Sequence, residues 1–456
     1  MKTKINLMFT AGIKAGLLKL NISLMILSVA VSAMADYPLI YQRYMADPCA
    51  IEYNGELYVY GSNDSDNTTN GYQMHSIVCI STIDLKNWTD HGLVLNVPQN
   101  VSWAKYSWAP QVVARNGKLY MYFGNNVSGV GVASSSSPTG PFIDAKGSAL
   151  INSSTPGASG VSQWYFDPGC MVDSSGQAYL TFGGNDPGNA RVIKLNSDMI
   201  STSGSAVQIP APNFLEASYL HMFNGKYYFS YEVHPSAGFN IQYGISSSPM
   251  SGYSWKGAVL SAPSNYNNNR SAFFTYKGVW YAVYHNRYLS GNTYFRNCGL
   301  DRLYYNADGT IQTVTCTQNG LTQLQHVNPY NRVEAETMAK ASGIQTESCA
   351  EGGMDVGYIQ NGDWICVRGV DFGTGASSFN VRVAGAASGG NIELRLDSST
   401  GTLIGTCPVS GTGGWQTWAT KSCSVSGVSG VHDLHLKFTG GSGFLFNVNW
   451  WQFIGG

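Results

Sequence analysis

The chain has 456 residues, of which only 12% carry a formal charge, and its net charge at pH 7 is −1. This composition excludes a disordered chain, which needs low hydrophobicity and high charge, and gives no electrostatic support to nucleic-acid binding. The 53 glycines and the 12% of aromatic residues favour short strands joined by tight turns. The length predicts two or three domains.

The first 35 residues have the pattern of a secretory signal peptide. Four lysines precede an apolar run at residues 22–33, and an Ala-x-Ala site at 33–35 comes just before Asp36. A basic start, a short apolar core and a small-residue site are typical of a segment cleaved on export. An uncleaved membrane anchor is the alternative, but the run is shorter than the roughly 20 residues of a membrane span. We therefore expect a secreted, extracellular protein without a membrane partner.

A secreted chain can form disulfides, and this one has nine cysteines. We expect Cys407 to pair with Cys423 across a hairpin, and Cys349 to pair with Cys366.

Five segments share one pattern, a turn containing Gly followed by an aromatic-rich strand. The turn glycines are Gly55, Gly117, Gly176, Gly225 and Gly278, spaced by 62, 59, 49 and 53 residues. Three of these turns are Asn-Gly steps, which are typical of two-residue hairpins. The intervals match four-stranded propeller blades with loop insertions, and a β-sandwich fits such even repetition poorly. The pattern therefore predicts an all-β fold that begins with a five-bladed β-propeller.

Three of the five units place a carboxylate near the start of the first strand. Counting back eight or nine residues from the turn glycine gives Asp47, Ala109, Asp167 and Glu216, while the fifth unit has Asn-Arg-Ser at 269–271. First strands line the channel of a propeller, so these acids are predicted to meet at its mouth. Like charges in a confined site separate in pKa, as acid/base chemistry requires. Ordinary turn aspartates, or acids paired with Arg, are the alternative interpretation.

Aromatic residues flank these acids. Trp108 precedes the strand of the second unit, and Trp-Tyr-Phe at 164–166 precedes Asp167. Aromatic faces pack against the C–H faces of sugar rings, so the combination points to a carbohydrate substrate, although such stripes are also typical of a core. His285 ends the inner hairpin of the fifth unit, where it is either a metal ligand or a structural group.

Residues 41–324 resemble the inverting five-bladed propeller glycoside hydrolases of family 43. The resemblance rests on five segments in order: Ala46-Asp47-Pro48, Ser107-Trp108-Ala109-Pro110, Phe166-Asp167-Pro168, Leu215-Glu216-Ala217-Ser218 and Tyr284-His285. It implies that Asp47 is the general base that activates water and Glu216 the general acid. Asp167 would raise the pKa of Glu216 and orient it.

The same resemblance implies the residues that bind substrate. Trp108, His285 and Arg296 would line the substrate site, with Arg296 contacting a sugar hydroxyl. The resemblance also implies that His285 helps to hold a calcium ion through water.

The residues after Leu324 change in pattern and read as a β-sandwich of the jelly-roll type. They resemble a carbohydrate-binding module of family 6 in four segments: Val333-Glu-Ala-Glu336, Ile359-Gln-Asn-Gly-Asp-Trp364, Gly414-Trp-Gln-Thr-Trp418 and Leu445-Phe-Asn-Val-Asn-Trp450. The resemblance implies that Tyr358 and Trp415 sandwich a sugar ring and that Asn447 hydrogen-bonds it.

This second resemblance also implies a structural calcium ion that takes no part in the chemistry. Glu334 and Glu336 would ligate it, since Ca²⁺ prefers oxygen donors. Asn449 stands where the family usually has Asp, which removes one charge from the predicted calcium site.

We thus predict a signal peptide at 1–35, a propeller at 36–325, a linker at 326–332 and a sandwich module at 333–456. The resemblances imply a monomeric, inverting α-L-arabinofuranosidase that acts on arabinoxylan and its oligosaccharides. A β-xylosidase acting on xylooligosaccharides is the alternative, because loops rather than the scaffold select the substrate. A retaining propeller transferase and a non-catalytic xylan-binding protein are alternatives of other classes, and the three intact acids argue against the binding protein.

Overall fold

The computed structural model describes residues 37–68, 71–238, 240–260, 270–317 and 320–456. The predicted signal peptide lies outside the described residues. Those residues form an all-β structure in one compact unit, as predicted, with two short 3-10 helices at Asp64–Asp66 and Pro235–Ala237. Within the described ranges, no helix has the length and apolar character needed to cross a membrane.

Five antiparallel sheets follow one another in the described part of residues 45–302, each with its strands in chain order. The first two contain β1 (Met45–Tyr53), β2 (Glu56–Asn63), β3 (Ser76–Thr82) and β4 (Trp88–Asn96), and then β5 (Trp108–Arg115), β6 (Lys118–Gly124), β7 (Val130–Ser135) and β8 (Ile143–Asp144). The third contains β9 (Gly169–Val172), β10 (Ala178–Phe182), β11 (Arg191–Leu195) and β12 (Thr202–Gln208). The last two contain β13 (Phe214–Phe223), β14 (Lys226–Val233), β15 (Ile241–Ser246) and β16 (Ser254–Leu260), and then β17 (Ser271–Tyr276), β18 (Val279–Asn286) and β19 (Asn297–Arg302).

Each of these sheets begins with a hairpin whose turn contains a predicted glycine. In the first sheet Asn54 and Gly55 have φ angles of 51° and 82°, the positive values that a two-residue hairpin turn of this kind requires. The turn glycines of the other four sheets also have positive φ angles: Gly117, Gly176, Gly225 and Gly278. The predicted hairpin repeat is therefore confirmed.

The first strands of the five sheets contact one another. Strand β1 contacts β5 and β17, β9 contacts β5 and β13, and β13 also contacts β17. Each first strand therefore contacts the first strands of two other sheets, so side chains at their starts come together from separate parts of the chain.

The C-terminal part consists of two antiparallel sheets with an apolar core. One sheet contains β20 (Val333–Glu334), β23 (Gln345–Ser348), β24 (Met354–Gly357), β26 (Ala376–Gly385), β29 (Gly414–Ser424) and β31 (Asn447–Gly455). The other contains β22 (Lys340–Ser342), β25 (Trp364–Asp371), β27 (Gly390–Leu396), β28 (Thr402–Val409) and β30 (Val431–Gly440). Trp451, Phe379 and Phe453 are fully buried in this core.

The C-terminal part is joined to the first sheet by main-chain and side-chain contacts. Strand β21 (Thr337–Met338) pairs with β4 and becomes the fifth strand of that sheet. The buried carboxylate of Asp90, in β4, accepts hydrogen bonds from Arg43 Nε at 3.0 Å and Thr346 Oγ1 at 2.7 Å. Because Thr346 lies in β23, a side chain of the first sheet holds a strand of the C-terminal part.

The expected disulfides are wrong for this structure, in which all nine cysteines lie within the described residues as reduced thiols. Cys407 and Cys423 do lie together on β28 and β29, and a hydrogen bond between their thiols lowers the pKa of Cys423. Cys366 is fully buried in β25, opposite Lys340 and His435.

Candidate active site

Four of the five sheets bring a left-handed residue to the start of the first strand. Asp47, Ala109, Asp167 and Ala217 have φ angles of 50°, 48°, 48° and 58°. Such angles are uncommon outside glycine and cluster at functional sites. The strand register also shifts at this point in β1, β5 and β13, as it does at a β-bulge.

In the fourth sheet, this geometry places the repeated position one residue later than the sequence predicted. Ala217, and not Glu216, occupies the position equivalent to Asp47 and Asp167. Glu216 reaches the same site because a bulge bends the strand and breaks the alternation of side chains.

The main-chain N–H at the repeated position donates to a side chain of a neighbouring sheet in three cases. Asp47 donates to His285 Nδ1, Ala109 donates to Ser62 Oγ and Ala217 donates to Asp167 Oδ2, each over 2.9 Å. His285 is completely buried behind Asp47, and its Nδ1 is the acceptor in this bond. The hydrogen bond to His285 therefore holds the main chain at Asp47 in place.

The three acids meet in one pocket of about 310 Å³. Its walls include two more of the predicted residues, Trp108 and Arg296, but not His285. The other lining residues are mostly aromatic or apolar: Tyr72, Met74, Asn126, Val127, Trp164 and Phe166. The pocket therefore combines carboxylates with aromatic faces, the combination that suits a sugar ring.

Asp47 is held in its ionised form. Its Oδ1 accepts from Arg296 Nη1 at 2.8 Å, and its Oδ2 accepts from Arg296 Nη2 at 3.2 Å and from Ser62 Oγ at 2.7 Å. Burial alone would raise the pKa of this carboxyl, but the charge of Arg296 and the hydrogen bond from Ser62 outweigh burial and lower the pKa below its usual range.

Glu216 has the opposite tendency. Burial, followed by the nearby carboxylates of Asp167 and Asp47, raises its pKa to about 8. Burial also raises the pKa of Asp167 to about 6, against the influence of Arg270, whose Nη1 lies 3.7 Å from Asp167 Oδ1. At neutral pH the pocket thus contains an ionised Asp47 and a protonated Glu216, supplied by different sheets.

Asp64, which sequence reasoning did not single out, positions Arg296. The Arg296 side chain donates to its two carboxylate oxygens at 2.8 and 2.9 Å, and the main-chain N–H of Arg296 donates at 2.9 Å. The ring of Tyr72 lies 4.8 Å from the guanidinium carbon. Arg296 is therefore fixed between two carboxylates and an aromatic face.

Comparison with known proteins assigns the chain to a family. Residues 36–311 match the model of Glycosyl hydrolases family 43, and residues 334–455 match the Carbohydrate binding module (family 6). The chain belongs to glycoside hydrolase family 43. It also carries a family 6 module at its C-terminal end.

Known proteins are similar to this chain along most of its length. An arabinoxylan arabinofuranohydrolase of Bacillus subtilis (strain 168) is 42% identical over 91% of this chain and 92% of its own length. One of Paenibacillus polymyxa is 40% identical over 91% of this chain and 74% of its own. A crystal structure of a glycoside hydrolase family 43 arabinoxylan arabinofuranohydrolase from Bacillus subtilis, in complex with cellotetraose, has a TM-score of 0.86 at 42% identity and covers 92% of this chain and 98% of that one.

The family 6 module presents two of its three predicted sugar-binding residues to solvent. Tyr358 is 43% exposed and has a left-handed φ of 57°, and Trp415 is 38% exposed. A bulky residue at such a φ angle is a strained feature that points to function. Asn447 is only 2% exposed and is held by neighbouring side chains.

The module contains oxygen donors that fit a cation in part. Glu336 Oε2 and Asn449 Oδ1 are buried without a hydrogen-bond partner in the described part of the chain, and burial raises the pKa of Glu336 well above its usual value. Glu334, by contrast, is paired with Arg332 at 2.8 Å. Among the described residues, no group of three or more His, Cys, Asp or Glu could hold a metal.

Proposed function

We propose that this family 43 enzyme is an inverting glycoside hydrolase that releases α-L-arabinofuranosyl side chains from arabinoxylan. The observation that carries the proposal is the pocket in which Asp47 is ionised and Glu216 is protonated at neutral pH. The names of the Bacillus and Paenibacillus relatives, which are similar over most of both chains, support the substrate.

Asp47 is the general base in this mechanism. Its carboxylate removes a proton from a water molecule that attacks the anomeric carbon, and Arg296 and Ser62 keep that carboxylate ionised until the proton is transferred. Glu216 is the general acid and gives its proton to the departing glycosidic oxygen. An inverting mechanism needs about 6.5–9.5 Å between the two carboxyls, so that the water fits beside the sugar; carboxyls on separate sheets suit such a gap.

Asp167 and Trp108 have supporting roles in this proposal. The charge of Asp167 favours the protonated form of Glu216. The Oδ2 of Asp167 also accepts a hydrogen bond from the main-chain N–H of Ala217, the residue that follows Glu216. Trp108 offers an aromatic face to the sugar ring, and Arg296 contacts a sugar hydroxyl from the pocket wall.

The scaffold in this proposal is a closed five-bladed propeller. Its support is the succession of contacts between first strands, in which β1 contacts both β5 and β17. We propose the domain boundaries given by the sequence, with the qualification that β21 belongs to the module in sequence and to the first sheet in hydrogen bonding.

The module would attach the enzyme to xylan through Tyr358 and Trp415. Glu336 and Asn449 would hold a structural calcium ion, with Glu334 joining them once it leaves Arg332; such an ion would neutralise the buried carboxylate. We retain export through residues 1–35 and a monomeric state as proposals that rest on the sequence.

Product analysis tests the proposed activity. The enzyme is incubated with wheat arabinoxylan, linear xylooligosaccharides and debranched arabinan in parallel, and the first products are followed by NMR. Free arabinose from arabinoxylan, released with inversion, is the expected result. Xylose from the oligosaccharides would instead indicate a β-xylosidase, retention would exclude the roles given to Asp47 and Glu216, and no product from any substrate would favour a binding protein.

A further inference from the structure

The fifth sheet brings an arginine to the position at which the other sheets bring an acid or an alanine. Arg270 lies eight residues before the turn glycine of its sheet, as Asp47, Ala109 and Ala217 do in theirs. It directly precedes β17 and is only 2% exposed. Because the first strands of the sheets contact one another, a cation at this position is brought to the site that holds the three acids.

The guanidinium group of Arg270 contacts Asp167 and the residue that follows it. Its Nη1 lies 3.7 Å from Asp167 Oδ1, and its Nη2 donates to the main-chain oxygen of Pro168 at 2.7 Å. Nη1 is buried and has no hydrogen-bond partner in the described ranges, so it acts on Asp167 as a charge. The other oxygen of Asp167, Oδ2, accepts from the main-chain N–H of Ala217 at 2.9 Å. Both oxygens of this carboxylate therefore face a group that favours its ionised form.

The charge of Arg270 distinguishes Asp167 from Glu216. Burial raises the pKa of both carboxyls. Arg270 lowers the pKa of Asp167 more than any other charge does, and it lowers the pKa of Glu216 less than Arg296 does. Two neighbouring carboxyls titrate as a pair, so a cation that favours one of them as the anion leaves the proton on the other.

The other titratable groups of the site are bound elsewhere or uncharged. Arg296 binds Asp47 and Asp64, and His285 holds the main chain of Asp47. Three further groups have a pKa that burial raises, so they are uncharged near neutral pH: the thiol of Cys49 and the phenols of Tyr72 and Tyr219. Arg270 is thus the cation directed at the pair of acids.

We propose that Arg270 is a positioning residue that keeps Asp167 ionised and thereby places the shared proton of the pair on Glu216. In the reaction, Glu216 releases this proton to the glycosidic oxygen as the bond to the anomeric carbon breaks, while Asp167 stays an anion and Arg270 a cation. The inference rests on the proposed function, because it concerns the proton that this hydrolysis uses.

Rates on two substrates test this role through the proton. Arg270→Met removes the charge but keeps a long side chain, and kcat/KM on arabinoxylan should fall about three- to tenfold near neutral pH. An aryl arabinofuranoside, whose phenolate leaves without protonation, should lose less than about twofold. Arg302→Met, at an exposed site on β19, is the control and should resemble wild type on both substrates. Equal losses on the two substrates in Arg270→Met would overturn the proposal.

The pH profile and a double variant test whether Arg270 acts through Asp167. The alkaline limb of kcat/KM on arabinoxylan should move to higher pH in Arg270→Met, because a cation that favours ionised Glu216 is gone. In Asp167→Asn the proton can reside only on Glu216, so adding Arg270→Met should cost less than about twofold more. A loss as large as in the wild-type background would overturn the role given to Arg270.

Carbon-13 NMR of the side-chain carboxyl groups locates the proton without any substrate. The signals are assigned with Glu216→Gln and Asp167→Asn. Near neutral pH, wild type should have a protonated Glu216 and an ionised Asp167, and Arg270→Met should shift the proton toward Asp167. A wild type in which Asp167 carries the proton would overturn the proposal even if Arg270→Met did not fold. The expected NMR result without sugar release from arabinoxylan would support the role of Arg270 and contradict the proposed activity.

Discussion

Arg296 donates two hydrogen bonds to the carboxylate of Asp47, from Nη1 to Oδ1 at 2.8 Å and from Nη2 to Oδ2 at 3.2 Å. The rest of its guanidinium is bound by Asp64, a second buried carboxylate. The planar guanidinium group has several hydrogen-bond donors and can bind both carboxylates at once, whereas a lysine ammonium cannot. Arg296 therefore acts on the charge of Asp47 as well as on the shape of the pocket.

Replacing Arg296 with Lys should raise the pKa of Asp47, because burial would no longer be offset by paired hydrogen bonds. The acidic limb of the pH profile of kcat/KM should move to higher pH, with a loss of activity near neutral pH. Arg302→Lys, on the exposed part of β19, is the matched control. A higher KM with an unmoved acidic limb would mean that Arg296 serves substrate binding alone.

Replacing Asp167 with Asn should lower the pKa of Glu216, because a neighbouring negative charge disappears. The alkaline limb of the kcat/KM profile, expected near pH 8 in the wild type, should move to lower pH. Asp308→Asn, at a fully exposed turn, should leave the profile unchanged. An alkaline limb that stays near pH 8 in Asp167→Asn would show that the charge of Asp167 does not contribute to the raised pKa of Glu216.

Leaving groups distinguish the proposed acid from the proposed base. Glu216→Gln should lose about 10²–10⁴-fold in kcat on arabinoxylan and much less on an aryl arabinofuranoside, whose phenolate leaves without protonation. Asp47→Asn should be inactive on both substrates, because water still has to be activated. Steady-state rates on the two substrates are the measurement, and equal losses for both variants would contradict the assignment.

Much of this site could be predicted because the repeat is local. Turn glycines and short-range strand patterns are visible along the chain, and they lead directly to Asp47 and Asp167. The position of Ser62 beside Asp47 could also have been predicted, because Asp47 lies seven residues before Asn54 and Ser62 lies seven residues after Gly55. Hairpin geometry alone would have placed these two residues together.

Other features depend on contacts between distant segments, which no local pattern specifies. Asp64 and Arg296 form hydrogen bonds although they lie 232 positions apart in the sequence. Strand β21 belongs to the C-terminal module in sequence but pairs with β4 of the first sheet. The position of Glu216 was predicted one residue out of register, because a bulge inserts a residue without any fixed sequence signature.

Trp415→Ala should separate attachment from catalysis. Loss of a half-exposed ring from the module should reduce binding to insoluble arabinoxylan by about tenfold or more, since aromatic residues dominate such contacts. Turnover of a soluble aryl arabinofuranoside should not change, because Trp415 is not among the residues that line the catalytic pocket. Depletion assays on the polymer, with activity on the aryl substrate measured in parallel, provide the test, and unchanged depletion would contradict it.

The raised pKa of Glu216 should also cost the protein stability at higher pH. Below about pH 4.5 this carboxyl is protonated in both the folded and the unfolded chain, so it makes no difference there. Between about pH 4.5 and 8 the unfolded chain releases the proton and the folded chain keeps it, which favours unfolding as pH rises. Glutamine has no such proton, so Glu216→Gln should become more stable relative to wild type across this window, by at most about 1.4 kcal/mol per pH unit.

Thermal unfolding of wild type and Glu216→Gln between pH 4.5 and 8 measures this difference. Glu393→Gln serves as the control, because Glu393 pairs with Arg395 near the surface of the module and should show no widening gap. The gap between Glu216→Gln and wild type should be smallest at the acidic end, where both forms of the enzyme carry an uncharged side chain at this position. A gap that is constant with pH would mean that Glu216 is ionised in the folded enzyme at neutral pH, and it could then not serve as the proton donor.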